Sequence, residues 1–194
     1  MAIEFELKFR GTPETLQVIC EAVSGTQQEF DMETTYYDGI NGELSARKYT
    51  LRRRMENNIS VCTLKAPAGK NRRGEWELEC EDIHKAIPML CQMGAPADLA
   101  ELTASGITEV CGAKFHRIAK TLEYEGAVLE LALDQGVLMG GGRQIPLCEV
   151  EVELKSGEPE QAEEYAKILA AKFRLTKEPH SKFRRAFALY KGEI

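Results

Sequence analysis

Residues 4 to 8 read Glu-Phe-Glu-Leu-Lys, two carboxylates and an ammonium at every second position. Successive side chains of an extended chain point to opposite faces, so Glu4, Glu6 and Lys8 would share one face and Phe5 and Leu7 the other. Glu149, Glu151 and Glu153 repeat the spacing with carboxylates alone, and Arg52 and Arg54 repeat it with guanidinium groups. Like charges two apart on a strand face repel unless an opposite charge or a metal lies between them. Carboxylate oxygens at this spacing suit hard cations such as Mg²⁺ or Mn²⁺, which also take phosphate oxygens as ligands. Guanidinium groups bind phosphate through paired donors. The two patterns together describe a polyphosphate held between metal and arginine.

Other alternating segments carry the same kind of face. They offer Lys65, then Arg73, Glu75 and Glu77, then Glu130 and Asp134. The polar face of an antiparallel sheet ordinarily meets water, so alternation alone says little. Here the faces are not mixtures of Ser, Thr and Gln but runs of charge. If they curl inward, one side of the lumen becomes a carboxylate cluster and the other an Arg/Lys cluster. Such charges cost several kcal/mol each when buried without partners, so the lumen makes sense only as a water-filled cavity for an ionic ligand. Arg53 has the opposite parity and reads as a surface charge. Trp76 alternates away from Arg73, Glu75 and Glu77 and reads as outer-wall packing; Tyr36 and Tyr37 read as packing rather than catalytic.

The elements that must position these side chains are mostly strands. Residues 3–9, 34–38, 49–54, 60–65, 73–81, 115–124, 127–134 and 147–155 alternate with period two, about eight strands in all. Turn residues at Glu56-Asn57-Asn58, Glu125-Gly126 and Gly140-Gly141-Gly142 predict three antiparallel hairpins, which favours a meander or barrel. Thr12-Pro13-Glu14 is a helix start, followed by Leu16, Ile19, Cys20 and Val23 at helical spacing. Residues 158–173 form a second amphipathic helix, and a weaker pair flanks Gly94-Ala95-Pro96, its first member interrupted at Pro88. Lys182 and Arg185, three apart, fall on one side of a further helix if residues 181–187 are helical, with Phe183 and Phe187 on another. That helix could close one end of the lumen.

With 194 residues, 43% hydrophobic and 29% charged, the chain reads as one globular domain over residues 1–194. The net charge of −6 argues against generic nucleic-acid binding, yet residues 47–54 hold five basic side chains and no acid. No signal peptide or membrane span can be drawn. Six cysteines without a CxxC pair read as small core residues in a reducing cytoplasm. His84 and His180 read as surface residues rather than ligands, and His116, beside Arg117, has the better claim of the three. A second copy of the chain, as a homodimer, is the one macromolecular partner left open, with no nucleic-acid or membrane partner expected.

Glu4-Phe-Glu-Leu-Lys8 resembles the ExExK signature that opens the CYTH domain, or triphosphate tunnel metalloenzyme, superfamily. Further landmarks follow in that family's order: Tyr36-Tyr37-Asp38, Leu51-Arg-Arg-Arg54, Thr63-Leu-Lys65, Arg73-Gly-Glu-Trp-Glu77, Phe115-His-Arg117, Glu130 to Gly136, Cys148 to Leu154 and Ser181-Lys-Phe-Arg-Arg185. The resemblance implies an α+β fold, an eight-stranded antiparallel barrel with helices outside, triphosphate within and divalent metal, Mg²⁺ or Mn²⁺, beside it. It places Glu4, Glu6 and Lys8 at the reacting phosphate. It makes Glu4, Glu6, Asp134, Glu151 and Glu153 metal ligands, with Glu75, Glu77, Glu130 and Glu149 less firmly in the set. Lys8, Arg52, Arg54, Lys65, Arg73, Arg117, Lys182 and Arg185 would hold phosphate. The small-molecule substrate it implies is inorganic tripolyphosphate, since residues 130–136 and 148–157 look most like the bacterial inorganic triphosphatases; the helical CHAD domain those relatives often carry is expected to be absent. Nucleoside triphosphatase, thiamine triphosphatase, class IV-type adenylate cyclase and a non-catalytic polyphosphate or nucleotide binder are the alternatives. No GxxxxGKS/T loop is present, so metal and barrel must replace helix-terminus phosphate binding.

Overall fold

The computed structural model describes residues 2–3, 5–68 and 73–194. Glu4 therefore lies outside the described residues. The elements are β1 (Ala2–Ile3), β2 (Glu6–Arg10), α1 (Pro13–Ala22), β3 (Thr26–Gly39), α2 (Glu43–Ala46), β4 (Thr50–Glu56), β5 (Ile59–Pro67), β6 (Arg73–Glu79), α3 (Ile83–Gln92), α4 (Leu99–Leu102), β7 (Ile107–Tyr124), β8 (Ala127–Gly140), β9 (Arg143–Ser156), α5 (Pro159–Phe173), β10 (Thr176–Lys177) and α6 (Lys182–Lys191).

All strands among the described residues belong to one antiparallel sheet in the order β1-β6-β5-β4-β3-β7-β8-β9-β2-β10. β1 and β2 are successive pieces of one N-terminal segment, yet β1 pairs with β6 and β2 with β9. The sheet must therefore curl until this segment reaches both of its ends. Counted this way, eight strand positions make the wall, as the alternation predicts, with the two-residue β10 added beside β2. The three hairpins are as expected, and positive φ at Glu125 and Gly126, and at Gly141 and Gly142, gives the twist that two-residue β-turns require. β3, β7, β8 and β9 run well past the segments that alternate most clearly.

The outer face of the wall carries two apolar clusters. One joins Tyr37, Leu51, Leu64 and Trp76 to Ile83, Ala86, Ile87 and Leu90 of α3 and Leu99 of α4. The other joins Leu129, Leu131, Leu133, Val150 and Val152 to Leu16 and Ile19 of α1 and Ala162, Ala166 and Leu169 of α5. Each buried leucine contributes about 1.5–3 kcal/mol, which is what fixes strand register and hence the parity of the opposite face. α3 is not interrupted at Pro88, contrary to the sequence expectation. Pro88 and His84 are both exposed, so the His84 carbonyl that loses its helical donor meets water instead. Of the cysteines only Cys62 is fully buried; the other five are half-buried, and all six are free. Among the described residues no helix is long and apolar enough to cross a membrane.

α1 has no basic residue in its last turn. Lys120, on the outer face of β7 and 7% exposed, supplies one from a distance: its Nζ donates to the carbonyl oxygens of Cys20 and, at 2.8 Å, Val23. A buried ammonium on orphan carbonyls at a helix C-terminus satisfies both hydrogen bonding and the helix dipole. Lys120→Met is expected to cost about 1–2 kcal/mol, read as a lower urea midpoint at unchanged m-value. A loss below about 0.3 kcal/mol would show that α1 is held by its apolar face alone.

α6 departs from the picture of helices outside. It is capped by the Ser181 hydroxyl, which accepts from the Arg184 amide, and ends on Gly192 at φ 78°. Its Ala186 and Leu189 pack on Met32, Ala113, Phe115, Leu138 and Leu147. These strand residues have the parity of Arg117, Asp134 and Glu149, so α6 lies against the inner face. A Cβ on Gly140 would come within 2.7 Å of the Tyr190 nitrogen, so the helix backbone sits directly on β8. One part of the interior is thus dry and filled by α6; the charged lumen occupies the remainder.

Candidate active site

The charged part of the interior is a cavity of about 370 Å³. Its acidic wall is built by β2, β9 and β8. Glu153 stands directly opposite Glu6 on one side and Glu130 on the other, while Glu151 stands opposite Lys8. Lys8 Nζ is 2.6 Å from Glu6. Burial would lower the Lys8 pKa, but Glu6, Glu151 and Glu149 more than offset this and hold it above the usual lysine value. Lys155, next on the same face of β9, lies 2.9 Å from Glu153 and 3.5 Å from Glu130.

The facing wall is built by β4, β5 and β6. Arg52 lies 3.7 Å from Glu75 and 3.9 Å from Glu77, and Lys65 lies 3.4 Å from Glu75. Arg73 donates to the Lys48 carbonyl, the Thr50 hydroxyl and, at 2.9 Å, the Lys65 carbonyl. Arg54 is 7% exposed, donates to Thr34 Oγ1 at 3.0 Å and lies 3.6 Å from Glu56. Burial first, then the neighbouring charges of Arg52 and Arg117, push its pKa down to about 10. It stays protonated at neutral pH in an environment short of negative charge, which an anion would relieve. Arg53 has the other parity and donates to the Glu81 carbonyl at 3.1 Å, away from the cavity.

The floor is α6 with its neighbours: Ser181, Lys182 and Phe183 meet Tyr36, Phe30, Met32 and Arg117. Tyr36 is more than packing, since it lines the cavity while its ring lies 5.2 Å from that of Phe183. Beneath the floor is a buried ionic network. Asp134 receives Arg117 at 2.7 Å through both Nε and Nη2 and has Lys182 Nζ at 2.8 Å. Glu151 receives Arg117 at 2.6 Å and Lys182 at 2.8 Å. Glu149 receives Lys182 and Arg185. Arg185 also lies 3.6 Å from Glu178, a buried acid that accepts from Arg10 at 2.6 Å. Three carboxylates therefore meet three cations, so the network is balanced in charge. Burial pushes Glu149 up to about 7, against the pull of Lys182; Glu151, also buried, is nevertheless held well below the usual carboxylate value by Lys182 and Arg117. The same carboxylates raise Lys182 against its own burial.

Of the residues singled out in the sequence, Glu6, Lys8, Arg52, Arg54, Lys65, Arg73, Glu75, Glu77, Arg117, Glu130, Glu151, Glu153 and Lys182 all line the cavity. Asp134 and Glu149, both 0% exposed, and Arg185 are placed behind it instead. Lys155 and Glu56 line it without having been singled out, and Tyr36, read from the sequence as packing, lines it as well. The parity of Lys155 with Glu153 is the signal that could have found it.

Two carboxylate sets bear on a metal. Asp134, Glu149 and Glu151 have oxygens within 4.8 Å of one another, but Arg117, Lys182 and Arg185 already neutralise them. Glu6, Glu130 and Glu153, with Glu151 at the boundary, face the cavity, with Lys8 beside Glu6 and Lys155 beside Glu153 and Glu130. Oxygen donors with no thiolate or imidazole among them fit a hard divalent cation, and this row is the better fit.

A CYTH domain family model matches residues 2–187. The chain belongs to the CYTH domain family. An inorganic triphosphatase of Haemophilus influenzae is 28% identical over 177 residues, covering 87% of this CYTH domain chain. The match takes in 50% of that relative, so the chain spans about half its length. Among solved structures, HpAC1 of Hippeastrum, an adenylyl cyclase candidate with a dominant triphosphatase activity, aligns over 100% of this chain and 96% of its own at a TM-score of 0.65 and 19% identity. The PH1819 protein of Pyrococcus horikoshii aligns over 97% and 99% at a TM-score of 0.63 and 23% identity. Both share the curled sheet.

Proposed function

We propose that this CYTH domain hydrolyses a triphosphate, inorganic tripolyphosphate first among the candidates, with a divalent metal, Mg²⁺ or Mn²⁺, on the acidic wall. The observation that carries the reading is the opposition of two walls across one cavity: buried, crowded Arg54 with Arg52, Lys65 and Arg73 on one side, and in-register Glu6, Glu153 and Glu130 on the other. A pure anion binder gains nothing from that carboxylate row. The similar inorganic triphosphatase supports the substrate class.

Phosphoryl transfer needs the charge on the transferring group neutralised, a water in line and a stabilised leaving phosphate. Arg52, Arg54, Lys65 and Arg73 come from three adjacent strands and would grip successive phosphates, with Arg117 and Lys182 at the floor. Glu6, Glu130, Glu151 and Glu153 would hold the metal, which when bound supplies Lewis-acid stabilisation to phosphate oxygens. Lys8, held to Glu6, would position that carboxylate and touch phosphate. A carboxylate of the acidic wall would orient the attacking water. Glu4 belongs to the same proposed set by its sequence parity.

The test is phosphate release from tripolyphosphate, ATP, GTP and thiamine triphosphate with Mg²⁺ or Mn²⁺, beside Glu6→Gln and Glu153→Gln variants. The expected result is metal-dependent release, greatest with tripolyphosphate and reduced by both variants. If nothing is cleaved while triphosphate still binds, the chain is a binding module. Formation of cyclic AMP and pyrophosphate from ATP would replace the hydrolase reading with a cyclase.

A further inference from the structure

Lys155 has no part in the reading above. Its Nζ sits between Glu153, at 2.9 Å, and Glu130, at 3.5 Å, two carboxylates directly opposite one another on β9 and β8. Glu6 adjoins Glu153 from β2, so three carboxylates stand in one row across the sheet. Like charges in register destabilise a sheet. Lys8 answers Glu6, and Lys155 answers Glu153 and Glu130. A divalent cation taking Glu130 and Glu153 would use the oxygens that this ammonium now holds.

We propose that Lys155 is a tethered counter-ion to the Glu130–Glu153 pair, a positioning residue that competes with the divalent cation and so sets the metal concentration at which the acidic wall fills. This rests on the metal reading made above. Exposure separates this lysine from the other cation embedded in carboxylates. The Lys155 side chain is 40% exposed and its flexible stem can carry the ammonium into water, whereas Lys182 is 7% exposed and bound by three carboxylates. Lys155 is thus exchangeable and Lys182 is fixed. In the absence of metal Lys155 keeps the row from repelling itself; with metal it is redundant.

The experiment is Mn²⁺ binding to substrate-free protein, followed by the electron paramagnetic resonance of free Mn²⁺, for wild type, Lys155→Met and Lys155→Arg. Lys155→Met is expected to bind Mn²⁺ about two- to fivefold more tightly, the range set by a partly exposed ion pair, and Lys155→Arg to stay near wild type. The Mg²⁺ concentration giving half-maximal phosphate release should fall by the same factor, with kcat within about twofold of wild type. Thermal unfolding of each variant checks that the fold is retained. Unchanged or weaker Mn²⁺ binding by Lys155→Met overturns the proposal, as does a fall in kcat at unaltered metal binding, which would put Lys155 on phosphate. Failure of every protein to bind Mn²⁺ at millimolar concentration overturns the metal reading and this proposal with it.

Discussion

Arg52→Ala is expected to lower kcat/KM for triphosphate hydrolysis by about 10²–10³-fold, while Arg53→Ala stays within about twofold of wild type. The two residues are neighbours in sequence and carry the same charge, so composition cannot separate them. Parity does. Arg52 stands in the basic wall between Tyr36 and Thr63, its guanidinium 3.7 Å from Glu75, a looser contact than a paired hydrogen bond and one that a phosphate could replace. Arg53 points the other way and holds the Glu81 carbonyl. Arg52→Lys keeps the charge but loses the fork, and is expected to recover only part of the activity. Steady-state kinetics on tripolyphosphate decides the matter. Equal losses in both alanine variants would show that the effect comes from overall charge or stability rather than from a phosphate contact.

The largest effect on stability is expected at Lys182. Lys182→Met leaves Asp134, Glu149 and Glu151 with two cations in place of three, in a region where Asp134 and Glu149 are 0% exposed. Removing one partner from a buried ionic group typically costs about 3–5 kcal/mol, because a charge is left buried without compensation. Urea unfolding should show this as a lower midpoint, and hydrogen exchange should rise first along α6, whose start Lys182 fastens to the wall. A loss under about 1 kcal/mol would mean that water reaches the network and screens it. Glu149 already takes up protons more readily than an ordinary carboxylate, and in the variant it becomes the natural site for the proton that restores balance.

The wall of the fold was legible because period-two patterning and hairpin residues are local signals. The inward set from Glu6 to Glu153 follows from the same parity, since a one-residue slip would expose Leu131, Leu133, Val150 and Val152 to water. What could not be read is depth. Asp134, Glu149 and Glu151 share a parity and a chemistry with Glu153, yet the first two lie behind the cavity because α6 covers them. That placement depends on where a helix distant in sequence comes to rest. Pro88 misleads for a related reason: α3 continues through it because its face of the helix is exposed to water, and exposure is a tertiary property. Lys155 shares the parity of Glu153, but a lysine at the end of a strand has the pattern of an ordinary solvated edge, so parity alone does not mark it.

α6 filling one end of the barrel bears on traffic. With Ala186 and Leu189 seated in the inner apolar cluster, that end is packed, so in the proposed hydrolysis substrate and products would use the charged side of the interior. On that proposal each departing phosphate would leave by the path along which the next chain enters. A long polyphosphate could insert only its terminus, so cleavage of such chains would be distributive, with release after every cut, and the products would compete with fresh substrate at the entrance.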